Sequence, residues 1–451
     1  MNTSSTPLLD ALQVQNAAAR SSFHTPGHKA NPSLSTLGGL SLDVTELPAT
    51  GSLFDGGDCI EQSERLAAAA FGAAQSFFSA GGCTLCIQTM LMLSGNGKTV
   101  LMARNAHRSA VHTAALLGIT VEWLPSRWTE NGISLPTDDK TVEDALIRHP
   151  SAGAVYLTSP DYYGRLCDID AIAAVCRRFG VLLLVDNAHG SHLDAFDRHP
   201  LALGADMTAD SCHKTLPVLT GGALLHIGVS TTFSRESVKS AMGLFASTSP
   251  SYPIMASLDY AQAWWRQDGA DAYRQTAVKV APLLETARKK QILAFPDADP
   301  GLLDPCRLTL DVAEHGGGIA AADFFRAGGC EPELADDRFV VFIITPFNTD
   351  EDILRLHRAL ERFTYGGAVT ESSFSAFGCR HVPQKVLSIR QATMAAWEEI
   401  PLQQAAGRIA ARTVCPCPPG VAVIVPGERY DEAIASYLLS RGYTHVQVTV
   451  N

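Results

Sequence analysis

A lysine and an aspartate carry the strongest chemical signal in this sequence. Lys214 stands next to a histidine, and Asp186 ends an apolar run 28 positions earlier. An unpaired buried carboxylate is costly, so Asp186 needs a cationic or hydrogen-bonding partner. Pyridoxal 5'-phosphate requires a lysine that forms a Schiff base and an aspartate that keeps a proton on the pyridine nitrogen. The competing interpretation of Lys214 is an ordinary solvated surface lysine.

A glycine turn between a predicted strand and a predicted helix is a second candidate feature. It reads Ser79-Ala-Gly-Gly82-Cys83-Thr84. Free backbone N–H groups at the positive end of a helix bind phosphate, and hydroxyl groups add donors. Many such turns are merely structural, so this one gains weight only beside other signals.

His107 lies at another predicted strand-to-helix junction, in Arg104-Asn-Ala-His107-Arg-Ser109. A histidine at this place is most often a helix cap or a core residue. An imidazole stacked on a cofactor ring is the functional alternative.

Short apolar runs alternate with amphipathic stretches from about residue 59 to residue 227. This alternation predicts βαβ crossovers and an α/β fold with a mostly parallel sheet, in which ligands lie at the carboxyl ends of the strands. After about residue 280 the pattern changes to that of a smaller α+β domain. We therefore expect an N-terminal segment at 1–50, a major cofactor-binding domain at 51–285 and a C-terminal α+β domain at 286–451.

The composition is that of an ordinary folded protein, with 46% hydrophobic and 18% charged residues among 451. The net charge of −11 argues against binding to nucleic acid, whose phosphates are also negative. Eleven cysteines, an odd number, indicate reduced thiols in a chain of this length. The sequence shows no signal-peptide pattern and no bilayer-length apolar run, so we expect a cytoplasmic protein without membrane or nucleic-acid partners.

Several further motifs occur in order between about residues 20 and 430. They are Phe23-His-Thr-Pro-Gly-His-Lys29, Asp43-Val-Thr-Glu46, Ser159-Pro-Asp-Tyr-Tyr-Gly164, Asp186-Asn-Ala-His-Gly190, Ser211-Cys-His-Lys214, Ser247-Thr-Ser-Pro-Ser-Tyr252, and Pro418-Pro-Gly with Pro426-Gly-Glu428. With Gly82 and His107, this series resembles the Orn/Lys/Arg decarboxylase family of pyridoxal-phosphate enzymes. The resemblance implies fold type I, with a seven-stranded, mostly parallel sheet in the major domain, and the compact branch without an amino-terminal wing domain.

The resemblance implies a role for each matching residue. Lys214 would carry the cofactor, with His213 beside it at the catalytic centre, and Asp186 would pair with the pyridine nitrogen. Ala188 would pack under the ring, and His107 would stack on its other face. The other residues implied to surround the cofactor are Gly82, Cys83, Thr84, His189 and Ser211.

Ser247 and Thr248 resemble a segment that reaches the phosphate of a neighbouring subunit. The resemblance therefore implies a homodimer with shared active sites, or a higher oligomer built from it. The His24–Lys29 segment and Tyr163 resemble parts of the mouth of the site.

Three positions depart from the pattern of the family. Cys83 stands where a hydroxyl residue is usual, Asn187 replaces a usual Glu, and Cys417 stands where a Tyr often precedes Pro-Pro-Gly. The last two departures fall near regions that face the substrate, so they leave its identity open.

The implied activity is decarboxylation of a basic α-amino acid, namely arginine, lysine or ornithine. Candidates for recognising the distal cation of the substrate are Glu46, Asp55 and Asp58, each of which is otherwise a plain surface charge. One alternative is another reaction on the same cofactor, aminotransfer or a lyase reaction, in which Arg390 would clamp the substrate carboxylate. A non-catalytic regulator on the same scaffold is a second alternative.

A metal site is the remaining alternative. The nearest spacings are His189 with His192, His107 with His112, and Cys415 with Cys417. None of these pairs supplies a convincing four-ligand set, so we expect no metal.

Overall fold

The computed structural model describes residues 5–18, 21–56, 58–95, 97–129, 134–364, 382–415 and 422–450. The strands are β1 Gln75–Ser79, β2 Thr99–Met102, β3 Thr120–Trp123, β4 Arg127–Trp128, β5 Ser134–Leu135, β6 Ala152–Thr158, β7 Leu182–Asp186, β8 Met207–Asp210, β9 Ala223–Ile227, β10 Arg307–Asp311, β11 Leu334–Ala335, β12 Phe339–Ile343, β13 Trp397–Pro401 and β14 His445–Thr449. The α-helices are α1 Pro7–Ala17, α2 Asp58–Ala70, α3 Gly82–Gly95, α4 Arg108–Leu117, α5 Asp139–Arg148, α6 Ile169–Phe179, α7 Arg235–Gly243, α8 Tyr252–Trp264, α9 Ala270–Lys289, α10 Gly318–Ala327, α11 Asp350–Arg362, α12 Ile389–Met394 and α13 Glu432–Ser440.

Seven strands form one sheet in the order β1-β9-β8-β7-β6-β2-β3. β2 pairs in parallel with β3 and β6, and β7 pairs in parallel with β8. β9 runs antiparallel to β8 and β1. The predicted seven-stranded, mostly parallel sheet is therefore confirmed. All seven residues of β6 are buried, which is the burial expected of a strand covered on both faces.

The chain divides into two compact units, one of residues 1–94 and 183–271 and one of residues 95–182 and 272–451. Each unit is built from two stretches that are distant in sequence, and each stretch contributes helices and strands. The division expected from the sequence, at residues 50 and 285, follows chain order and stays a prediction.

Buried carboxylates tie helices together in the first unit. Glu64 of α2 is 1% exposed and accepts hydrogen bonds from Lys239 Nζ at 2.6 Å and from the backbone N–H of Phe78 at 2.9 Å. Asp259 of α8 accepts the backbone N–H groups of Leu8 and Leu9 at the start of α1. The first N–H groups of a helix have no partner within it, so Asp259 satisfies donors that would otherwise be left open.

The second unit contains a three-stranded antiparallel sheet in the order β10-β12-β11. Helices α9, α10 and α11 supply apolar side chains that pack with this sheet into one core. Thr349 caps α11 in a capping box with Asp352. The short threonine side chain reaches the backbone N–H at the third helical position.

The Pro426-Gly-Glu428 motif also belongs to the second unit and has a structural function there. The Arg104 guanidinium binds both carboxylate oxygens of buried Glu428, at 2.6 and 2.7 Å. Gly427 has φ +91°, and a Cβ at this position would lie 2.3 Å from the carbonyl oxygen of Leu387. Only glycine fits this close approach, so the motif fixes the backbone around the Arg104–Glu428 pair.

Within the described parts of the chain, no helix combines the length and the apolar character that crossing a membrane requires.

Candidate functional site

The carboxyl ends of β7 and β8 carry the central residues of the candidate site. Asp186 is the last residue of β7 and Asp210 is the last residue of β8, and these strands are parallel. Both carboxylates are buried, with Asp186 2% and Asp210 0% exposed. Lys214 ends the short 3-10 helix that follows β8. The two strands therefore bring Asp186 and the Lys214 turn to the same edge of the sheet.

The amine of Lys214 has a histidine partner within the same unit. Its Nζ lies 3.0 Å from Nε2 of His189, which is 3% exposed. His189 follows Asp186 by three positions, in the loop after β7. A basic nitrogen at this distance can exchange a proton with the amine.

The turn between β1 and α3 has the predicted strand–glycine–helix form. Gly82 has φ +68°, and its N–H donates to the carbonyl oxygen of Gly221 at 2.8 Å. This left-handed conformation suits glycine and turns the chain sharply from β1 into α3. Cys83 and Thr84 follow in the first turn of α3, where backbone N–H groups lack partners within the helix.

The electrostatic surroundings of the Cys83 thiol link these elements. Burial raises the pKa of Cys83 well above its usual value, and the carboxylates of Asp186 and Asp210 raise it further, whereas Lys214 lowers it. All three charged groups therefore act electrostatically on the first turn of α3. The thiol is protonated at neutral pH.

Hydrogen bonds shape the two loops that carry the remaining cofactor candidates of this unit. The N–H of Ala188 donates to Oδ1 of Asp186 at 3.2 Å, so the loop folds back onto the carboxylate. Ser211 Oγ lies 3.3 Å from Nδ1 of His213, which also lies 3.3 Å from the carbonyl oxygen of Gly222. The fold thus gathers the predicted set of Gly82, Cys83, Thr84, Asp186, Ala188, His189, Ser211, His213 and Lys214 within one unit.

His107 and Tyr163 belong to the second unit. His107 caps α4, where its Nδ1 accepts the N–H of Ser109 at 3.3 Å and lies 2.8 Å from Ser109 Oγ. The structure therefore supports the capping interpretation and leaves the stacking role a prediction. Tyr163 is 7% exposed and donates its hydroxyl hydrogen to Asp336 Oδ2 at 2.7 Å, a packing contact within the second unit.

The structure also bears on the alternatives. Arg390 donates to the carbonyl oxygens of Ala115 and Leu116 near the end of α4, so its guanidinium acts as a helix cap. It gives the aminotransferase alternative no support. Glu46, Asp55 and Asp58 are exposed, and Ser247 and Thr248 are exposed as well. Cys417 lies outside the described residues.

A buried polar cluster beside Asp186 is absent from the sequence-based candidates. Asp210 Oδ2 lies 2.8 Å from His199 Nε2 and accepts a hydrogen bond from Asn187 Nδ2 at 2.7 Å. His226 belongs to the cluster, and its Nδ1 lies 2.7 Å from Ser76 Oγ. No spacing pattern predicts this grouping, because its members come from two strands and two loops.

The chain matches the Orn/Lys/Arg decarboxylase major domain over residues 6–294 and the C-terminal domain of that family over residues 374–445. It is 31% identical to the Bacillus subtilis protein YaaO, over 98% of this chain and 96% of that one. It is also 31% identical to an arginine decarboxylase of Bacillus subtilis, over 97% of this chain and 94% of that enzyme.

Among solved structures, the constitutive lysine decarboxylase of E. coli superposes with a TM-score of 0.82. That comparison covers 99% of this chain and 82% of the other at 20% identity, so it speaks for the fold. The family match covers more than half of the chain and includes the Asp186 and Lys214 segments. The protein therefore belongs to the Orn/Lys/Arg decarboxylase family, whose members depend on pyridoxal phosphate.

Proposed function

We propose that this protein decarboxylates a basic α-amino acid, with arginine as its preferred substrate. Membership of the family supports the reaction. Four similar proteins are named arginine decarboxylase, at 28 to 31% identity over 94 to 97% of this chain. The lysine decarboxylase relative from Escherichia coli is 24% identical over 86% of the chain, which makes arginine the better first choice.

The placement of the β1–α3 turn, Asp186 and Lys214 within one unit carries this proposal, because these groups fit pyridoxal phosphate. The N-terminus of α3 would bind the phosphate, with its N–H groups, Thr84 and Ser211 as donors. The amine of Lys214 would bind the aldehyde carbon, and the buried Asp186 carboxylate would hold the pyridine nitrogen in its protonated form. The β1–α3 turn would thus serve the phosphate, the Lys214 amine the aldehyde, and the Asp186 carboxylate the ring nitrogen.

Within this arrangement, each protein group has a separate task. Bound pyridoxal phosphate supplies an electron sink for the pair of electrons left behind as CO₂ departs. Lys214 would return a proton to the substrate Cα, and His189, 3.0 Å from its amine, would exchange that proton. His213 would be the other proton donor at the catalytic centre.

We also propose a homodimer with shared sites, in which Ser247 and Thr248 of each subunit reach the phosphate bound by the other. The exposure of both residues in the single chain supports this arrangement. His107 would stack on the cofactor ring, and its capping bond to Ser109 would hold the imidazole in place.

The test is incubation of the cofactor-loaded protein with arginine, lysine and ornithine in separate reactions, reading CO₂ and amine together. We expect equimolar CO₂ and amine, with the highest kcat/KM for arginine. Lys214→Ala should abolish turnover and the visible absorbance of the bound cofactor. Lys279→Ala, which removes a lysine from the surface pair with Asp350, is the matched control and should behave as the wild type.

Keto-acid formation without CO₂ would contradict the proposal and point to aminotransfer. Failure of the purified protein to bind the cofactor would point instead to a non-catalytic regulator.

A further inference from the structure

The cluster of Asn187, Asp210 and His199 lies directly behind the candidate site. Asn187 and Asp210 are 0% exposed, and His199 is 1% exposed. A single carboxylate oxygen, Oδ2 of Asp210, meets both Asn187 Nδ2 at 2.7 Å and His199 Nε2 at 2.8 Å. Hydrogen bonds to a charged acceptor in the interior are strong and directional.

This cluster joins the two chain segments that carry Asp186 and Lys214. Asn187 directly follows Asp186, and its backbone N–H donates to the carbonyl oxygen of Ala209 at 3.0 Å. Asp210 directly follows Ala209 and lies four positions before Lys214. The bond from Asn187 to Asp210 therefore fixes the end of β7 to the end of β8 through side chains as well as backbone.

The charges in the cluster explain the choice of residue at position 187. Burial disfavours the carboxylate of Asp210, but His199, His226 and the Thr208 hydroxyl together outweigh burial and lower the pKa of Asp210. Asp210 is therefore an anion, and a second carboxylate at position 187 would lie against it without a further cation. An amide at position 187 donates a hydrogen bond instead, which accounts for Asn187 at a position where the family usually has Glu.

We propose that Asp210 and His199 are positioning residues, which hold Asn187 and thereby place the Asp186 carboxylate for the cofactor ring held by Lys214. The inference rests on the proposed function for its kinetic test. The affinity for pyridoxal phosphate tests it independently, because that measurement needs no substrate.

The experiment compares Asp210→Asn, Asn187→Asp and the double variant that carries both changes. Asp210→Asn removes the only carboxylate of the trio, and Asn187→Asp sets two carboxylates against each other. Each single variant should weaken pyridoxal phosphate binding by about tenfold or more, and should lower kcat by about tenfold while KM changes less than about threefold. The double variant restores one carboxylate and one amide, so both values should return to within about threefold of the wild type.

Glu64→Gln is the matched control, because it also breaks a buried ion pair in the same unit but leaves the Asp186 loop intact. It should lower the melting temperature without changing the cofactor affinity. If Asp210→Asn yields no folded protein, His199→Asn replaces it, since Asp210 and Asn187 then remain but the imidazole is lost. His199→Asn should also weaken cofactor binding.

Wild-type cofactor affinity in a folded Asp210→Asn or His199→Asn variant would overturn the inference. A folded double variant that binds the cofactor no better than the weaker single variant would overturn it as well. If the wild type decarboxylates none of the three amino acids, the proposed function fails, whereas the cofactor affinities still decide whether these residues position Asp186.

Discussion

The amine of Lys214 lies 3.0 Å from Nε2 of His189, and the two residues stand in the segments that follow the parallel strands β8 and β7. The histidine is buried, whereas the lysine is partly exposed. This pair gives the candidate site an amine with a basic nitrogen as its immediate neighbour.

Replacing His189 should slow the reaction more than it weakens substrate binding. We expect His189→Phe to lower kcat by about 100-fold, because proton exchange with Lys214 loses its partner. His189→Gln keeps a polar side chain and should recover part of the loss. Steady-state kinetics with arginine measure both variants. A His189→Phe enzyme with the wild-type kcat would contradict a role in proton transfer.

Cys83→Ser should strengthen cofactor binding. The Cys83 thiol is protonated and is a poor hydrogen-bond donor, whereas a serine hydroxyl in the first turn of α3 would donate well to phosphate. One added hydrogen bond to a charged group predicts about a tenfold lower dissociation constant. Equilibrium titration of the cofactor-free protein measures it. Cys59→Ser, at the start of α2, is the control and should leave the affinity unchanged.

Mixed dimers test whether the active sites are shared. Lys214→Ala inactivates a site directly, and Thr248→Asp would repel phosphate from the partner's site. If one site combines Lys214 of one subunit with Thr248 of the other, mixing the two inactive variants should restore about a quarter of the wild-type activity. Mixing Lys214→Ala with Asp186→Ala should restore none, because those two residues serve the same site from the same chain. Equal recovery from both mixtures would argue against sharing.

His226 should make the protein less stable in acid. Burial lowers the pKa of His226 to about 4, whereas an unfolded histidine titrates near 6.5. As the pH falls from about 6.5 to about 4, this histidine therefore binds a proton in the unfolded chain but not in the folded chain. The free energy of unfolding should fall by up to about 3 kcal/mol across this window, and His226 should add no slope above it.

Urea unfolding of the wild type and His226→Gln at pH 6.5, 5.5 and 4.5 checks this expectation. The variant should lose less stability than the wild type over the same range. His199 does not contribute to the slope in this pH range. Burial lowers the pKa of His199, but the Asp210 carboxylate outweighs burial and raises it. The pH dependence of stability that His199 causes therefore falls above pH 6.5. If the free energy of unfolding falls equally with pH in the two proteins, His226 is not the source of the pH dependence.

The sequence alone predicts the α/β class, because buried parallel strands are apolar along their whole length and stand between amphipathic helices. It also predicts that the site lies at the carboxyl ends of these strands, since Asp186 interrupts the apolar pattern at the end of β7. The roles of the single residues depended on the family resemblance. Lysine, aspartate and histidine have many ordinary uses, and spacing alone does not separate them.

The sequence by itself determined the class of the fold and the order of its chemical motifs, because both are written in local patterns of apolar, glycine and charged residues. Only the tertiary structure decided which side chains meet. In the structure, the Lys214 amine lies next to the His189 ring, and Arg390 caps a helix. Asn187, Asp210 and His199 form a buried cluster next to Asp186. These contacts depend on the pairing of β7 with β8 and on the paths of the loops that follow. No periodic pattern in the sequence predicts contacts between residues that are distant along the chain.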